Sequence, residues 1–324
     1  MEKRKIPISS KYINSSGINN FKNAIGIDIG VNIIKIAFLS IESNNLYFEL
    51  ISFKSKNLDL LNQMLMLENK DVKIYLTVGN FHKYIEKLKL DTKNIVIVAK
   101  IKAIYKGLEC LLENNIGNFF LYEKNKKKTV KTKGPCLVIY IGTGVSIIKT
   151  DVDGYTNIAS LPIGGATFFG LAKLFIKDVE FKEIFELLER GKNENVDLGF
   201  SDVFSNQDNL KETELDNSIL ISLGKLSVDQ KSDFRNDDIL SSILHMILNN
   251  IIYICLNEYE RTNSSSLVFT GYFCTEDCII KKISEITNKL SNQKVNPIFI
   301  SNSGFISSIG AIISGINGYN ERNN

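Results

Sequence analysis

The chain has 324 residues, of which 44% are hydrophobic and 23% charged, and its formal net charge is +3. This length and composition predict a globular protein with room for two domains, and the small net charge gives no indication of nucleic-acid binding. No apolar run reaches the roughly 18 residues of a membrane span, so we expect neither nucleic acid nor a membrane as a partner.

Cysteine and histidine usage favours a reducing compartment and argues against a zinc centre. The five cysteines are an odd number without a Cys-x-x-Cys pair, which is typical of reduced thiols, so we expect a cytoplasmic protein. The two histidines, His82 and His245, are too few for a His-based zinc site. Because His245 lies in an apolar helical run, we expect it to be structural.

The first half of the sequence reads as an α/β lobe that follows a polar segment. Residues 1–23 lack the long apolar core of a signal peptide or anchor, and we expect a mobile tail. Residues 24–135 form the predicted first lobe, which opens with a β-hairpin over 24–40 and ends in a solvated, lysine-rich loop at 124–133. The other predicted elements are strands at 46–53, 73–77, 95–99 and 119–122 and helices at 82–88 and 102–113.

Residues 136–324 are predicted to form a second lobe that begins with a hairpin of the same kind. An apolar strand at 137–141 runs into Gly142-Thr143-Gly144 and leaves as a β-branched strand at 145–149. This hairpin aligns with residues 27–35 of the first one, and its turn is two residues longer. A repeat at the head of each half predicts a duplicated architecture with both turns at one cleft. Helices are predicted at 168–175, 181–190, 237–259 and 307–314, and strands at 266–273 and 297–301.

The segment Gly164-Gly165-Ala166-Thr167 stands directly before a helical pattern. Glycines at a helix start can leave backbone N–H groups free to face an anion. The alternative is close packing of the helix on the second hairpin. Two glycine-turned hairpins could resemble each other by chance, but together with this junction they favour a nucleotide cleft.

Several short segments, in the same order, resemble the eukaryotic-type (type II) pantothenate kinases. The segments IGTGVSIIK, LPIGGATFFGLAKLF, LVFTGYF and SGFISSIGAII are similar to the family's IGSGVSI, SLGGGTFLGL, VVFVGNF and EGYFGAVGALL. The resemblance covers about residues 24–315 and implies a duplicated actin-like ATPase (ribonuclease H-like) α/β fold with two lobes around a nucleotide cleft. It also implies phosphorylation of pantothenate by ATP and Mg²⁺, the first step towards coenzyme A, with CoA or an acyl-CoA as a regulator.

The resemblance assigns roles to residues of both hairpins and of the glycine-rich segments. Asp28 would hold Mg²⁺ through water, and its place within the apolar strand AIGIDIG independently indicates a function, because burying a carboxylate is costly. The residues assigned to ATP and its phosphates are Asp28, Gly30, Asn32, Lys35, Gly142, Thr143, Gly144, Gly271 and Gly304. Those assigned to pantothenate, a pantetheine-type molecule or CoA are Thr143, Ser146, Gly164, Gly165 and Thr167.

Two catalytic positions depart from the family pattern. With Lys106-Gly107-Leu108 fixing the register, Lys100 falls on the family's general-base glutamate, and Asn157 falls on its arginine. A lysine cannot accept the hydroxyl proton at neutral pH unless its pKa is strongly lowered. The sequence therefore leaves open a catalytically weakened pseudokinase that binds nucleotide or acyl-CoA and regulates a partner. A third alternative is a sugar or acetylhexosamine kinase on the same fold. That family usually places a catalytic aspartate and zinc-type Cys/His residues in the second half, and this sequence shows no such set.

Members of the resembled family dimerise through a long helix of the second half. We therefore expect a homodimer through the apolar stripe of the helix at 237–259, unless that stripe packs in the core. The stripe consists of Leu240, Ile243, Leu244, Ile247, Ile251 and Cys255.

Overall fold

The computed structural model describes residues 2–8, 24–42, 45–66, 72–78, 94–113, 118–123, 126–132, 134–177, 179, 181–204, 219–228 and 234–323. Within these ranges the chain forms one six-stranded and one seven-stranded sheet, each with helices packed against it. The helix predicted at 82–88 lies outside the described residues.

The first sheet has the spatial order β1–β4–β3–β2–β5–β6. The hairpin β2–β3 is antiparallel, whereas β5 and β6 extend the sheet in parallel with β2. All six residues of β2 are buried, which explains its near-continuous apolar sequence. The strands are β1 (Glu2–Ile8), β2 (Ala24–Ile29), β3 (Ile33–Glu42), β4 (Asn45–Lys54), β5 (Lys73–Val78) and β6 (Ile95–Ile97). Helix α1 (Leu58–Met66) follows β4.

The expectation of a mobile tail is wrong for residues 2–8, which form the edge strand β1. This strand pairs antiparallel with β4 over seven residue pairs. Ile6 is buried in the core, while Arg4 and Lys5 are exposed. Charged side chains on an edge strand protect it from pairing with other chains, so a sequence that looks too polar for a strand suits this edge.

The second sheet has the order β11–β10–β9–β14–β15–β7–β8. Strands β9, β14 and β15 run parallel, and β10 and β11 continue from β9 as an antiparallel meander. The sequence analysis missed β11. The strands are β7 (Phe119–Glu123), β8 (Lys126–Thr129), β9 (Cys136–Ile141), β10 (Val145–Asp151), β11 (Gly154–Leu161), β14 (Ser266–Thr270) and β15 (Pro297–Ile300). The short strands β12 (Leu198–Gly199) and β13 (Ile219–Ile221) pair separately.

The lysine-rich stretch is not entirely a loop, because residues 126–129 form β8. This strand is exposed and pairs antiparallel with β7, which in turn pairs with β15. Lys127 also forms an ion pair with Asp277, at 2.8 Å. Two strands that precede the expected lobe boundary at residue 135 thus belong to the second sheet.

Eight further helices surround the two sheets among the described residues. Seven of them are α2 (Lys100–Glu113), α3 (Gly165–Phe175), α4 (Phe181–Leu188), α5 (Phe200–Phe204), α6 (Gly224–Val228), α7 (Asn236–Arg261) and α8 (Asp277–Leu290). The eighth is α9 (Ile306–Asn323). The sequence analysis missed α8, which packs against α7 and β15.

Helix α7 is a core helix. The whole stripe from Leu240 to Cys255 that was expected to form a dimer face is buried within the chain, so the alternative of core packing is the correct one. By length and composition α7 could cross a membrane, but 72% of its apolar window is buried inside the protein. Homodimer formation stays a prediction and would have to use another surface.

Helix α9 returns to the first lobe and packs on α2 and β2. Two glycines permit this contact: a Cβ on Gly310 would lie 1.7 Å from the carbonyl oxygen of Ala103, and one on Gly107 would lie 1.9 Å from that of Ile306. The close crossing brings the side chain of Lys100, the first residue of α2, to Ser307 in the first turn of α9, and both contact Asp28 near the end of β2.

Candidate active site

A glycine turn follows β2 in the first sheet, and a second glycine turn follows β9 in the second sheet. In the first, the N–H of Gly30 donates to the carbonyl oxygen of Ile33 at 3.0 Å, and a Cβ at Gly30 would lie 2.8 Å from that oxygen. In the second, the N–H of Gly142 donates to the carbonyl oxygen of Gly144 at 2.9 Å. The predicted repeat of one hairpin at the head of each half is therefore present in the structure.

Asp28, two residues before the first turn, is the centre of a buried polar cluster. It is 1% exposed and accepts hydrogen bonds on both oxygens. Lys100 Nζ donates to Oδ1 at 2.6 Å, and Lys35 Nζ donates to Oδ2 at 2.9 Å. The hydroxyl of Ser307 donates to Oδ2 at 2.6 Å, and Lys100 lies 3.2 Å from that hydroxyl.

The charges of this cluster stabilise one another. Burial raises the pKa of the Asp28 carboxyl, but the charges of Lys100 and Lys35 and the hydrogen bonds of Lys100 and Ser307 outweigh it, so the pKa lies below its ordinary value. Burial likewise lowers the pKa of Lys100, but the charge and hydrogen bond of Asp28, together with the interactions of Tyr140, outweigh burial and the pKa is raised. Lys100 is thus held as an ammonium and does not meet the condition for acting as a base.

Lys35 and Lys100 each contact the ring of a tyrosine that lies in the second sheet or directly after one of its strands. Lys100 Nζ lies 5.2 Å from the ring centroid of Tyr140, and Lys35 Nζ lies 5.9 Å from that of Tyr272. Tyr140 belongs to β9 just before the second glycine turn, and Tyr272 follows Gly271 after β14. The two cation–π contacts therefore connect the Asp28 cluster with the second lobe.

Sequence reasoning missed Ser307, Tyr140 and Tyr272 as members of this cluster. Ser307 carried a usable signal, because Ser307 and Ser308 are adjacent hydroxyls in an otherwise apolar helical segment, and both are fully buried. A buried hydroxyl needs a partner, although the sequence does not show which one. The tyrosines carried no comparable signal, since an apolar strand accommodates Tyr140 equally well as a core residue.

The junction between the second hairpin and α3 is closely packed. The N–H of Gly165 donates to the carbonyl oxygen of Gly142 at 2.9 Å, and that of Ala166 donates to Thr143 at 3.1 Å. A Cβ at Gly164 would lie 2.8 Å from the Cα of Gly144. The expectation that these helix-start amides are free to face an anion is therefore wrong for Gly165 and Ala166, and the packing alternative explains the glycines.

A cleft of about 780 Å³ opens beside the first turn. Its walls come from both lobes and include Val31, Asn32, Phe169 and Tyr272. Four lysines also line it: Lys54, Lys56, Lys173 and Lys182. Among the residues that the structure describes, no Asp or Glu lines this cleft. A concave site with lysines and apolar walls suits a ligand that combines an anionic group with a flat apolar group.

Comparison with known proteins decides the family. The Fumble family matches residues 24–314. The chain belongs to the Fumble family. The prediction of a type II pantothenate kinase resemblance is thereby confirmed.

Two relatives named as pantothenate kinases support this family membership. The chain is 32% identical to pantothenate kinase 1 of Arabidopsis thaliana over 216 residues, which are 64% of this chain and 56% of that protein. It is 25% identical to the type II pantothenate kinase of Bacillus cereus (strain AH820) over 299 residues, which are 91% of this chain and 99% of that protein. The chain thus spans little more than half of the Arabidopsis protein and nearly all of the bacterial one.

A solved structure shows the fold of this Fumble-family chain. The activator of the 2-hydroxyisocaproyl-CoA dehydratase from Clostridium difficile, with bound ADPNP, matches with a TM-score of 0.53 at 13% identity. The match covers 93% of this chain and 96% of the activator. It confirms the predicted two-lobed, actin-like ATPase fold.

The Mg²⁺ site that the resemblance implies at Asp28 does not fit the donors around this carboxylate. Both oxygens of Asp28 already accept strong hydrogen bonds, two of them from ammonium groups. Across the described ranges, no group of three or more His, Cys, Asp or Glu side chains is placed to hold a metal. Lys100, which stands where the resemblance implies a glutamate, therefore changes the surroundings of Asp28.

Two other assigned positions lie on the part of the second sheet that faces α2. Asn157 of β11 is opposite Ile148, and Ser146 of β10 is opposite Tyr140. Residues opposite each other on antiparallel strands share a face, and Ile148 and Tyr140 pack into the same core cluster as α2. Asn157 and Ser146 thus lie on the same face of the sheet as Tyr140, whose ring contacts Lys100.

Gly271 and Gly304 serve close packing in this structure. Gly271 has a φ of +104°, and a Cβ there would lie 2.3 Å from the carbonyl oxygen of Ile141. A Cβ at Gly304 would lie 3.1 Å from Tyr272. The assigned roles of the two glycines in ATP binding stay predictions, as do those of Thr143 and Thr167.

Proposed function

We propose that this chain transfers a phosphoryl group from ATP to pantothenate. The observation that carries the proposal is its correspondence with almost the whole type II pantothenate kinase of Bacillus cereus, over 91% of this chain. The lysine-lined cleft beside the first glycine turn supports it, because phosphoryl transfer depends mainly on positioning and charge neutralisation.

The chain offers several groups that could hold the polyphosphate. We infer that the phosphates lie near Gly30, Asn32 and the second turn, Gly142–Gly144, because these residues are partly or fully exposed. Lys54 and Lys173 approach the cleft from opposite lobes, which places positive charge on both sides of a bound anion. The apolar part of the cleft, around Phe169 and Tyr272, would take the nucleoside.

The acceptor alcohol would lie on the other side of the Asp28 cluster, along the face shared by Ser146 and Asn157. Hydroxyl and amide groups suit the polar arms of pantothenate or a pantetheine-type molecule. We also propose that CoA or an acyl-CoA competes for this face and regulates the chain, since it shares the pantetheine chemistry.

Transfer in this protein would proceed without a general base at residue 100. In the loose transition state of phosphoryl transfer the acceptor proton leaves late, so that positioning supplies much of the rate. Loss of a general base costs roughly 10²–10⁴-fold, which predicts slow turnover. Mg²⁺ would enter with the phosphates of ATP, whose oxygens are its preferred ligands.

A substrate panel tests the proposal. Purified protein is incubated with MgATP and pantothenate, pantetheine or N-acetylglucosamine, and phosphorylated products are quantified by mass spectrometry. We expect phosphopantothenate or phosphopantetheine and no sugar phosphate. Binding of ATP without any phosphorylated product would overturn the kinase proposal in favour of a nucleotide-binding pseudokinase.

A further inference from the structure

We propose that Lys100 is a built-in cation of the Asp28 cluster, whose ammonium group occupies the place beside Asp28 where the family resemblance would put a metal. The chain would then bind the phosphates of ATP without a metal ion anchored on Asp28. This inference rests on the nucleotide binding of the proposed function, and it adds that the charge at this point is supplied by the protein.

The contacts of Asp28 give the first argument. Its three close donors lie at 2.6, 2.6 and 2.9 Å, and two of them are ammonium groups. A divalent cation on this carboxylate would have to displace Lys100, or lie within a few ångströms of two positive charges in a poorly hydrated site where repulsion is strong. The carboxylate is therefore saturated by the protein itself.

The second argument is that Asp28 does not need Lys100 for neutralisation. Lys35 is buried with Asp28, at 7% side-chain exposure, and already balances its charge. Lys100 adds a second ammonium, and its side chain is 34% exposed. The cluster therefore carries one net positive charge, which suits an anion, and its Lys35 contacts the ring of Tyr272 in the wall of the cleft.

The third argument is the position of Lys100 in its helix. It is the first residue of α2, and the first turn of α2 contains no acidic residue. The helix dipole disfavours a cation at this end, so helix stability does not explain the lysine. The positive end of α2 adds to the field of the ammonium group instead.

Residue 100 thus sets the sign of the charge in this cluster. With lysine, two ammonium groups face one carboxylate. With glutamate, the residue found in the resembled family, two carboxylates would face only Lys35, and a cation would be needed. A metal-anchoring site would change into a metal-independent one by this single replacement.

Metal binding provides a test that needs no nucleotide. Mn²⁺ is titrated into the wild type, Asp28→Asn, Lys100→Glu and the double variant Lys100→Glu/Asp28→Asn, and bound Mn²⁺ is followed by electron paramagnetic resonance. We expect Mn²⁺ binding to appear in Lys100→Glu and to be lost in the double variant. Binding of Mn²⁺ to the wild type that is lost in Asp28→Asn would overturn the proposal.

Nucleotide binding provides the second test. Calorimetry measures ATP affinity in Mg²⁺ and in EDTA for the wild type, Lys100→Gln, Lys100→Arg and the exposed same-helix control Lys102→Gln. We expect wild type, Lys100→Arg and Lys102→Gln to bind equally in EDTA, and Lys100→Gln to bind about tenfold or more weakly, the effect of one lost charge-assisted hydrogen bond. Lys100→Arg keeps the charge, so its behaviour separates charge from folding.

Failure of the Lys100 proposal and failure of the proposed function would give different results. Wild-type ATP binding that collapses in EDTA and is unaffected by Lys100→Gln would overturn the role of Lys100 while preserving the nucleotide site. Absence of ATP binding in both buffers would overturn the proposed function, and the Mn²⁺ titration would still decide whether the Asp28 cluster excludes a metal.

Discussion

The hydroxyl of Ser307 lies 2.6 Å from Oδ2 of Asp28, although the two residues are 279 positions apart in the sequence. Helix α9, near the end of the chain, thereby supports the carboxylate at the head of the first hairpin. The same carboxylate holds Lys100 of α2, so three elements of the first lobe meet at one buried charge.

Replacing Ser307 by alanine should destabilise the protein more than replacing Ser308, its equally buried neighbour. Ser307 donates to a carboxylate, whereas Ser308 donates to the carbonyl oxygen of Phe305 at 2.9 Å. Hydrogen bonds to charged groups contribute about 1.5–3 kcal/mol and those to neutral groups about 0.5–1.5 kcal/mol. Urea unfolding of the two variants measures the difference, and a Ser308→Ala loss equal to that of Ser307→Ala would contradict the special role of Asp28.

The pH dependence of turnover should lack an ionisation from Lys100 between pH 6 and about 9, since lysine normally titrates near 10.4 and its pKa is raised further here. The ammonium form persists below the raised pKa and is lost only as the pH rises through it. Asp28, whose pKa is lowered, stays ionised until the pH falls below its ordinary range.

This prediction is checked with kcat/KM profiles of the wild type, Lys100→Glu and Lys100→Gln against pH. The variant should gain an acidic limb, because a carboxylate that accepts a proton must first be ionised. A wild-type limb near neutral pH that disappears in Lys100→Gln would show that Lys100 titrates in this range and would refute its assignment as a permanent cation.

The crossing of α2 and α9 should tolerate no side chain at Gly310. A methyl group there would lie 1.7 Å from the carbonyl oxygen of Ala103, which belongs to the backbone and cannot rotate away. We expect Gly310→Ala to lower the free energy of unfolding by about 1–3 kcal/mol or more. Gly170→Ala is the matched control, because a Cβ at this helical position meets nothing within 4 Å and should stabilise by up to about 1 kcal/mol. Equal effects of the two variants in thermal unfolding would contradict the close crossing.

The sequence predicted the parts of the fold that depend on local pattern. Each hairpin begins with an apolar strand that ends at a glycine turn, and α7 shows a long helical stripe, so both were placed correctly. Strand β1 was missed because edge strands can be polar, and β11 because none of its residues is fully buried. Whether the stripe of α7 faced another chain or the core could not be predicted, since both environments favour the same residues.

The candidate site was predictable at Asp28 and Lys35, where charges interrupt apolar strands. Lys100 was identified only through the resemblance, and the sequence could not show that it pairs with Asp28 across 72 positions. At the start of α3 the sequence pattern was visible, but its role could not be predicted. A glycine-rich helix start fits an anion site and a packed junction equally well, and only the hydrogen bonds of Gly165 and Ala166 to the second turn distinguish the two.

The experiment to perform first is quantification of ATP-dependent phosphopantothenate formation by the wild type beside Lys100→Gln and Lys102→Gln. The wild type should form product at a low rate, Lys102→Gln should match it, and Lys100→Gln should be slower by about tenfold or more, the loss of one charge-assisted contact to the phosphates. A wild type that binds ATP but forms no phosphopantothenate would contradict the kinase assignment.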